Sequence, residues 1–188
     1  QSGGGNDTVY SAGGEDKLHG GEGVDFLSLD LSGIGLDLSL TLGDPAETVE
    51  VIGEGTTITA FENVSIQFDS YSSGHNTVIA TDFAGAVTLY GGRGTNTFKG
   101  GAGDDRFYGG GNNEIDGGGG FDVLGYQLTY GGIYADLANE RVYRAADGVG
   151  FSGAFDPALV AATDTVRSIE RIVGTYLADQ FHGSTADE

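Results

Sequence analysis

The chain has 188 residues, with 8 basic against 28 acidic side chains and a net charge of −20. A nucleic-acid-binding protein needs the opposite sign to neutralise phosphates, and an anionic membrane surface would repel this chain, so both partners are excluded. The lack of cysteine excludes disulfides and thiolate metal sites. The 36 glycines beside only 2 prolines indicate many tight turns around a thin core.

The N-terminal part repeats a nine-residue pattern of glycines, one acidic residue and one apolar residue. The segments SGGGNDTVY, SAGGEDKLH and GGEGVDFLS cover residues 2–10, 11–19 and 20–28. Glycine permits the positive φ of tight turns, and apolar-centred triplets favour brief strands, so turns and strands should alternate. The sixth positions hold Asp7, Asp16 and Asp25, and the eighth positions hold Val9, Leu18 and Leu27.

A strand-rich segment without the repeat follows at residues 25–64. The alternation in LSLDLSGIGLDLSLTL (27–42) predicts a strand with Leu27, Leu29 and Leu31 on one face. The pattern returns in degraded form in GHNTVIATDFAGAVTLY (74–90), which carries Asn76 before Val78.

A second array begins at residue 91 and continues to residue 125. Its four segments are GGRGTNTFK (91–99), GGAGDDRFY (100–108), GGGNNEID (109–116) and GGGGFDVLG (117–125). The apolar eighth positions should point into the core. The sixth positions hold Asn96, Asp105, Asn113 (after a one-residue deletion) and Asp122.

The segment after the second array resembles the segment after the first, which indicates an internal duplication. DVLGYQLTYGGIYADLA (122–138) resembles DFLSLDLSGIGLDLSL (25–40), and DTVRSIERI (164–172) resembles TTITAFENV (56–64). Module one therefore covers roughly 1–90 and module two roughly 91–188, forming one continuous solenoid. The sole helix candidate is DPALVAAT (156–163), with Asp156 as N-cap. Because the ends fall inside repeats, we expect a fragment of a longer protein.

Glycine-rich turns with one carboxylate suit Ca²⁺, which takes six to eight oxygens from carboxylates and backbone carbonyls. One turn cannot complete this shell, but two turns stacked in register can. If a coil contains two turns and two strands, turns on the same side recur every 18 residues. Asp7 and Asp25 have this spacing, and Asp105 and Asp122 are one residue short of it. The spacing predicts roughly four to eight ions held between stacked turns.

The segments GGEGVDFLS, GGAGDDRFY and GGGGFDVLG resemble the nonapeptide of the RTX family, also called hemolysin-type calcium-binding repeats. The resemblance implies an all-β fold, a parallel β-roll (a right-handed β-helix-like solenoid) with Ca²⁺ in its turns. It implies that the second and fourth carbonyls and the sixth side chain face one ion, with first and third carbonyls added from the partner turn. The ligands implied are Gly3, Gly5, Asp7, Gly20, Gly21, Glu22, Gly23, Asp25, Gly101, Gly103, Asp105, Gly118, Gly120 and Asp122.

Other oxygen-bearing residues depart from this pattern. Asn96 and Asn113 keep an oxygen but lose the charge, so their site should be weaker or empty. Asp16 and Asp179 occupy sixth positions of irregular repeats and are further metal-ligand candidates. Ligands that complete end sites, rather than ordinary solvated acids, could come from Asp37, Glu62, Asp136, Asp164 and Glu170.

These features predict a calcium-binding module of a secreted bacterial protein that folds on binding extracellular Ca²⁺ and aids export of its parent by type I secretion. Nothing in the sequence resembles a catalytic centre, so we expect no enzyme activity in this chain; one alternative role is the attached tail of a secreted enzyme or toxin. The other alternative is an adhesion or carbohydrate-binding module that contacts a polysaccharide or a cell surface. For that role Tyr126 and Tyr130 could stack on sugars, against the alternative that they pack on a sheet.

Overall fold

The computed structural model describes residues 3–34, 37–51, 53, 55–68 and 74–183. Within these ranges the chain forms 18 short strands and two single-turn 3-10 helices, Leu137–Asn139 and Pro157–Leu159, neither of them able to cross a membrane. In chain order the strands are β1 (Thr8–Ser11), β2 (Lys17–His19), β3 (Phe26–Asp30), β4 (Ser39–Thr41), β5 (Val49–Glu50), β6 (Thr57–Thr59), β7 (Asn63–Gln67), β8 (Thr77–Ile79), β9 (Val87–Tyr90), β10 (Thr97–Lys99), β11 (Arg106–Tyr108), β12 (Glu114–Asp116), β13 (Val123–Gly125), β14 (Ile133–Asp136), β15 (Arg141–Ala145), β16 (Val160–Arg167), β17 (Arg171–Val173) and β18 (Gln180–His182).

The strands form two large sheets and one small sheet. The seven-stranded sheet has the order β1-β3-β7-β9-β11-β13-β17, and all its neighbours are parallel. The eight-stranded sheet has the order β18-β14-β15-β16-β12-β10-β8-β4, and it is parallel from β4 to β16. A three-stranded sheet has the order β2-β6-β5. Successive strands alternate between sheets through the arrays, which confirms the predicted parallel β-roll.

The core consists of the central residues of the short strands. Leu27, Phe107 and Leu124 of the seven-stranded sheet are buried in one apolar cluster with Phe98 and Ile115 of the eight-stranded sheet. These five are eighth-position residues, so that part of the prediction is confirmed. Each triplet contributes one inward side chain, which is why turns must follow every few residues.

Two local predictions need correction. The predicted helix at residues 156–163 is only the 3-10 turn Pro157–Leu159, capped by Asp156, because β16 begins at Val160 and pairs with its neighbours. The strand predicted over 27–42 is two strands, β3 and β4, lying in different sheets. Leu27, Leu29 and Leu31 do share a buried face as expected.

The domain boundary near residue 90 stays a prediction. Strands on both sides of it pair within the same sheets, since β9 pairs with β11 and β8 pairs with β10. The sheets therefore position the turns of both arrays along two common edges.

Candidate metal centres in the glycine-rich turns

One row of acidic residues lies directly before the strands of the seven-stranded sheet. We call Asp7, Asp25, Asp105 and Asp122 the aspartate row, because each precedes β1, β3, β11 or β13 by one residue. Asp25, Asp105 and Asp122 are each 0 % exposed, while Asp7 is half-buried. Parallel pairing in register places these residues on neighbouring coils, as the 18-residue spacing predicts.

The three buried carboxylates of the row, those of Asp25, Asp105 and Asp122, each accept a hydrogen bond from the backbone of the neighbouring coil. Asp25 Oδ1 accepts from Asp7 N at 2.7 Å, and Asp122 Oδ1 accepts from Asp105 N at 2.8 Å. Asp105 Oδ1 accepts from Val87 N at 2.8 Å, and its Oδ2 accepts from Gly101 N at 2.9 Å. One oxygen of each buried aspartate thus holds two coils in register.

The second carboxylate oxygen of two aspartates has no protein partner. Asp25 Oδ2 and Asp122 Oδ2 are buried and accept no hydrogen bond within the described residues. A buried anionic oxygen without a partner is costly, so a native chain needs a cation or proton there. These two atoms are the strongest sign in the structure that a group is to be bound in the turns.

Backbone carbonyls converge on the same places because the first residue of each turn is glycine. A Cβ built on Gly100 would lie 2.1 Å from the Gly117 carbonyl oxygen and 2.2 Å from Asp105 Oδ2. A Cβ built on Gly117 would lie 1.9 Å from the Ser168 carbonyl oxygen and 2.4 Å from Asp122 Oδ2. The space of a missing side chain therefore holds one carbonyl and one carboxylate oxygen, a donor set that suits Ca²⁺.

The first module has the same arrangement of one carbonyl and one carboxylate oxygen beside a first-position glycine, which we call a cradle. A Cβ on Gly20 would lie 1.7 Å from the Ala60 carbonyl oxygen and 2.7 Å from Asp25 Oδ2. The residues at all three places thus fit a calcium ion by donor type. The structure describes no cluster of three or more His, Cys, Asp or Glu side chains, so carbonyls must supply most ligands.

Burial also shifts the acid–base behaviour of the row. Desolvation raises the pKa of Asp122 to about 6, and neighbouring Asp105 and Glu170 add to the rise against the bond from Asp105 N. Desolvation likewise raises the pKa of Asp105, opposed by its bonds from Val87 and Gly101. Both shifts arise mainly from burial, so a bound cation would favour the ionised forms of Asp105 and Asp122.

Each half of the row ends at a glutamate from the non-repeat segment. Glu62 Oε2 accepts from Asp25 N at 2.7 Å, and Glu170 Oε2 accepts from Asp122 N at 2.7 Å. The turns before them contain Ala60 with φ 55° and Ser168 with φ 49°, values that usually require glycine. Both segments therefore imitate the glycine turn, with the longer glutamate in place of aspartate.

The other predicted ligand positions lie where neighbouring turns touch through their backbones. Glu22 N donates to the Gly3 carbonyl at 3.2 Å, Gly5 N donates to the Glu22 carbonyl at 2.7 Å, and Gly119 N donates to the Gly101 carbonyl at 2.8 Å. Cβ atoms on the stacked glycines would lie within 2.5 Å of a carbonyl oxygen in the next turn, as found for Gly23, Gly103, Gly118 and Gly120. Gly21 has φ 120°, so its turn needs glycine. The ligand roles of these positions stay predictions.

A second row of polar residues belongs to the eight-stranded sheet: three amides lie directly before β8, β10 and β12, and one carboxylate lies within β16. We call Asn76, Asn96, Asn113 and Asp164 the asparagine row. Asn76 Nδ2 donates to Asn96 Oδ1 at 2.9 Å, Asn96 Nδ2 donates to Asn113 Oδ1 at 2.8 Å, and Asn113 Nδ2 donates to Asp164 Oδ1 at 2.8 Å. The ligand role predicted for Asn96 and Asn113 stays a prediction, and these bonds give their oxygens another use.

The asparagine row ends at a buried tyrosine. Tyr126 is 0 % exposed, and its hydroxyl donates to Asp164 Oδ2 at 2.6 Å. Desolvation raises the pKa of Asp164 to about 6 despite the bonds from Tyr126 and Asn113. Tyr126 therefore packs in the core, whereas Tyr130 is 70 % exposed.

The two irregular candidates, Asp16 and Asp179, both accept hydrogen bonds from the protein itself. Asp16 Oδ2 accepts from the Ser11 hydroxyl at 2.6 Å, before β2. Asp179 accepts at both oxygens, from Ile133 N and Thr175 N at 2.7 Å each, before β18. Of the end-site candidates, Asp37 accepts from His75 N and Asp136 from Asn139 Nδ2, both in exposed bonds.

Sequence reasoning missed the asparagine row as a unit. It paired Asn96 with Asn113 as one weak or empty metal site and noted Asn76 apart from them. The signal that could have found the row was the spacing of amides by 20 and 17 residues at sixth positions. The Tyr126–Asp164 end of the row has no such periodic signal.

Two segments of the chain, residues 1–29 and 84–124, match the family described as RTX calcium-binding nonapeptide repeat, in four copies. The comparison with curated proteins gave no match. The matched segments contain all four members of the aspartate row and the three first-position glycines Gly20, Gly100 and Gly117. Segments 1–29 and 84–124 of this chain are therefore RTX calcium-binding nonapeptide repeats, and such repeats indicate a calcium-binding module of RTX type.

Proposed function

We propose that this module folds only when Ca²⁺ is bound along the aspartate row, and that it does so outside the cell. The observation that carries the proposal is the pair of buried, unpartnered oxygens, Asp25 Oδ2 and Asp122 Oδ2. Each lies beside a converging carbonyl at a first-position glycine. Bound Ca²⁺ would supply the positive charge that these oxygens lack.

The charge of the chain supports coupled binding and folding. At −20, the ion-free carboxylates repel one another, and a core of short triplets cannot offset the loss of chain entropy. Because the metal site does not exist in the unfolded chain, binding free energy becomes folding free energy. Metal and fold are thus expected to appear together.

The affinity class supports an extracellular setting, in keeping with RTX repeats being typical of secreted bacterial proteins. Extracellular calcium modules bind at about 10⁻⁴–10⁻³ M, far above cytosolic Ca²⁺. A chain with such sites would stay unfolded during type I secretion and fold after release, stabilising the parent protein. We propose no catalytic role for the module itself.

Far-ultraviolet circular dichroism with and without millimolar Ca²⁺ tests the proposal. We expect a strand-rich spectrum with Ca²⁺ and a disordered one after addition of a chelator, with Mg²⁺ as the control ion. An identical folded spectrum in chelator would contradict coupled folding, even if calcium binding itself were observed.

A further inference from the structure

The outer face of the seven-stranded sheet differs from the rest of this acidic chain. From β7 to β17 its outward side chains include Arg106 and Arg171 and no aspartate or glutamate. The chain as a whole has 28 acidic residues, and the eight-stranded sheet shows Glu114 and Asp116 on β12. This part of the sheet face is therefore positively charged, in contrast to the acidic surface of the rest of the chain.

A groove crosses this face. Its middle part is a cavity of about 320 Å³ whose lining includes Gln67, Tyr90, Tyr108, Tyr130 and Arg144. It shares Tyr108 with a neighbouring depression that contains Arg106 and Arg171 and no acidic residue. It shares Tyr90 with another depression, at the β1 end of the groove, which contains Tyr10, Ser28 and the one acid Asp30. The three depressions thus follow one another across the strands, along the axis of the roll.

Aromatic and amide groups dominate the middle of the groove. The rings of Tyr90 and Tyr108 stack at 4.4 Å between centroids with 2° between planes. Tyr130 lies in the same cavity with 70 % exposure, beside Leu128 at 59 %. Exposed tyrosines offer an apolar ring with a polar tip, which suits a ligand that is part apolar face and part hydroxyl.

The charged groups of the cavity leave positive charge in excess. Asp147 accepts from Arg93 at 2.9 Å and from Arg144 at 3.3 Å, so two guanidinium groups share one carboxylate. Within the described chain, Arg144 Nε has no hydrogen-bond partner although it is buried, and neither has Gln127 Oε1 in the next depression. Each guanidinium carries five N–H donors, and the Arg93 side chain is 49 % exposed, so its remaining N–H groups can reach an anionic ligand.

We propose that this groove binds a linear anionic polysaccharide, one that carries carboxylate or sulfate groups. The outward side chains recur at the strand spacing of about 4.8 Å along the groove, a periodic surface that matches a periodic polymer. Tyr130 and the tyrosine pair contact sugar faces, and Arg93, Arg144, Arg106 and Arg171 contact the acidic groups. A peptide is disfavoured because the face of a sheet offers it no free backbone ladder.

The test uses the calcium-saturated chain in isothermal titration calorimetry. The probes are oligogalacturonate for carboxylate, chondroitin sulfate oligosaccharide for sulfate, dextran as neutral glycan and polyaspartate as anionic peptide. We expect binding of at least one anionic glycan, with dextran and polyaspartate silent. Absence of binding to both anionic glycans, or equal binding of polyaspartate, would overturn the proposal.

Exposed substitutions locate the site without touching the core. Arg93→Gln and Tyr130→Ala should each weaken binding about tenfold or more, the loss of one charge-assisted hydrogen bond or ring contact. The matched controls are Arg167→Gln, whose ion pair with Glu140 at 2.8 Å is equally exposed on the eight-stranded sheet, and Tyr176→Ala, 88 % exposed. An equal loss of glycan affinity in the two control variants would show non-specific attraction and overturn the assignment. Unchanged affinity in both groove variants would show that the glycan binds elsewhere, for example by calcium bridging, and would also overturn it.

Discussion

The aspartate row and the asparagine row stack similar turns, yet they satisfy the buried ends of those turns differently. In the asparagine row each amide accepts with Oδ1 and donates with Nδ2, so the row is complete within the protein. In the aspartate row a carboxylate can only accept, and the unpartnered oxygens of Asp25 and Asp122 remain. The two rows therefore differ in one side-chain atom per turn. An amide Nδ2 can donate to the next turn, whereas a carboxylate Oδ2 cannot donate and is left for a cation or a proton.

We expect the largest loss of stability when a methyl group is added at a first-position glycine of the aspartate row. Gly100→Ala places Cβ 2.1 Å from a backbone carbonyl and 2.2 Å from Asp105 Oδ2, and we expect a loss of about 3 kcal/mol or more in the free energy of unfolding. Gly91→Ala in the asparagine row meets only side-chain atoms, the nearest at 2.8 Å, and should cost less. Urea unfolding at saturating Ca²⁺ measures both.

Gly119→Ala is the control for these two variants, since its nearest neighbour is a carbonyl oxygen at 3.9 Å. It should change stability by less than about 1 kcal/mol. Equal losses for Gly100→Ala and Gly91→Ala would mean that the two rows are equally tight, contrary to the comparison.

Exchanging the sixth-position residues tests the comparison in both directions. Asp122→Asn should raise the Ca²⁺ concentration at half-folding about tenfold, because a charged ligand is lost. Asn96→Asp removes the donor to Asn113 Oδ1 and to the Gly91 carbonyl, and should destabilise the calcium-bound chain by about 2 kcal/mol. Calcium titrations followed by circular dichroism give the first value and urea unfolding the second.

A lower calcium midpoint in Asn96→Asp would show that the asparagine row can be converted to a metal site, and the division between rows would then fail. Asn112→Asp, an exposed change beside the same row, is the control for added charge alone.

The buried Asp164 gives a pH-dependent difference of intermediate size. Its pKa is raised from 3.8 to about 6, so the native state binds more protons than the unfolded state between these values. Stability contributed by this group is therefore present at low pH and lost as pH rises through about 6. Asp164→Asn should remove the trend, and the difference between the two chains should reach about 3 kcal/mol across the window.

Urea unfolding of both proteins at pH 4, 5, 6 and 7 in saturating Ca²⁺ checks this difference. Tyr126→Phe removes the hydroxyl that lowers the pKa of Asp164. In this variant the free energy of unfolding should therefore continue to fall up to a higher pH. Parallel pH curves for the parent chain and Asp164→Asn would rule out a titrating Asp164.

The smallest effect concerns exposed fifth-position asparagines, one in each row of turns. Asn6 Oδ1 accepts from Val24 N at 3.0 Å, and Asn112 Oδ1 accepts from Thr163 N at 2.9 Å. Each change to alanine should cost about 0.5–1 kcal/mol in thermal or urea unfolding, since both amides face water. A much larger loss for one of them would show that the rows also differ at this position.

Much of the fold followed from local spacing. Glycines and apolar residues nine positions apart predicted stacked turns and strands and the burial of Leu27, Phe107 and Leu124, because each coil repeats the same turn and strand. The resemblance to the RTX repeats added the parallel β-roll. The same spacing brought Asp105 and Asp122 together. These features depend only on residues within one or two coils.

Other features depend on contacts that no period encodes. Glu62 reaches Asp25 across 37 residues, and Glu170 reaches Asp122 across 48. The sequence pairs the two glutamates with each other by similarity, but it does not show which backbone N–H each accepts. Ala60 and Ser168 adopt positive φ without glycine, so their turns carry no composition signal.

The glutamate-ended turns have a consequence for how such a protein can be elaborated. Between β3 and β7, and again between β13 and β17, the polypeptide makes a long excursion and then rejoins the stack in register. Since the returning turn restores the stacking geometry, the length of the excursion is free to vary. Loops of other lengths can therefore be inserted at the glutamate-ended turns without interrupting the coils of the β-roll on either side.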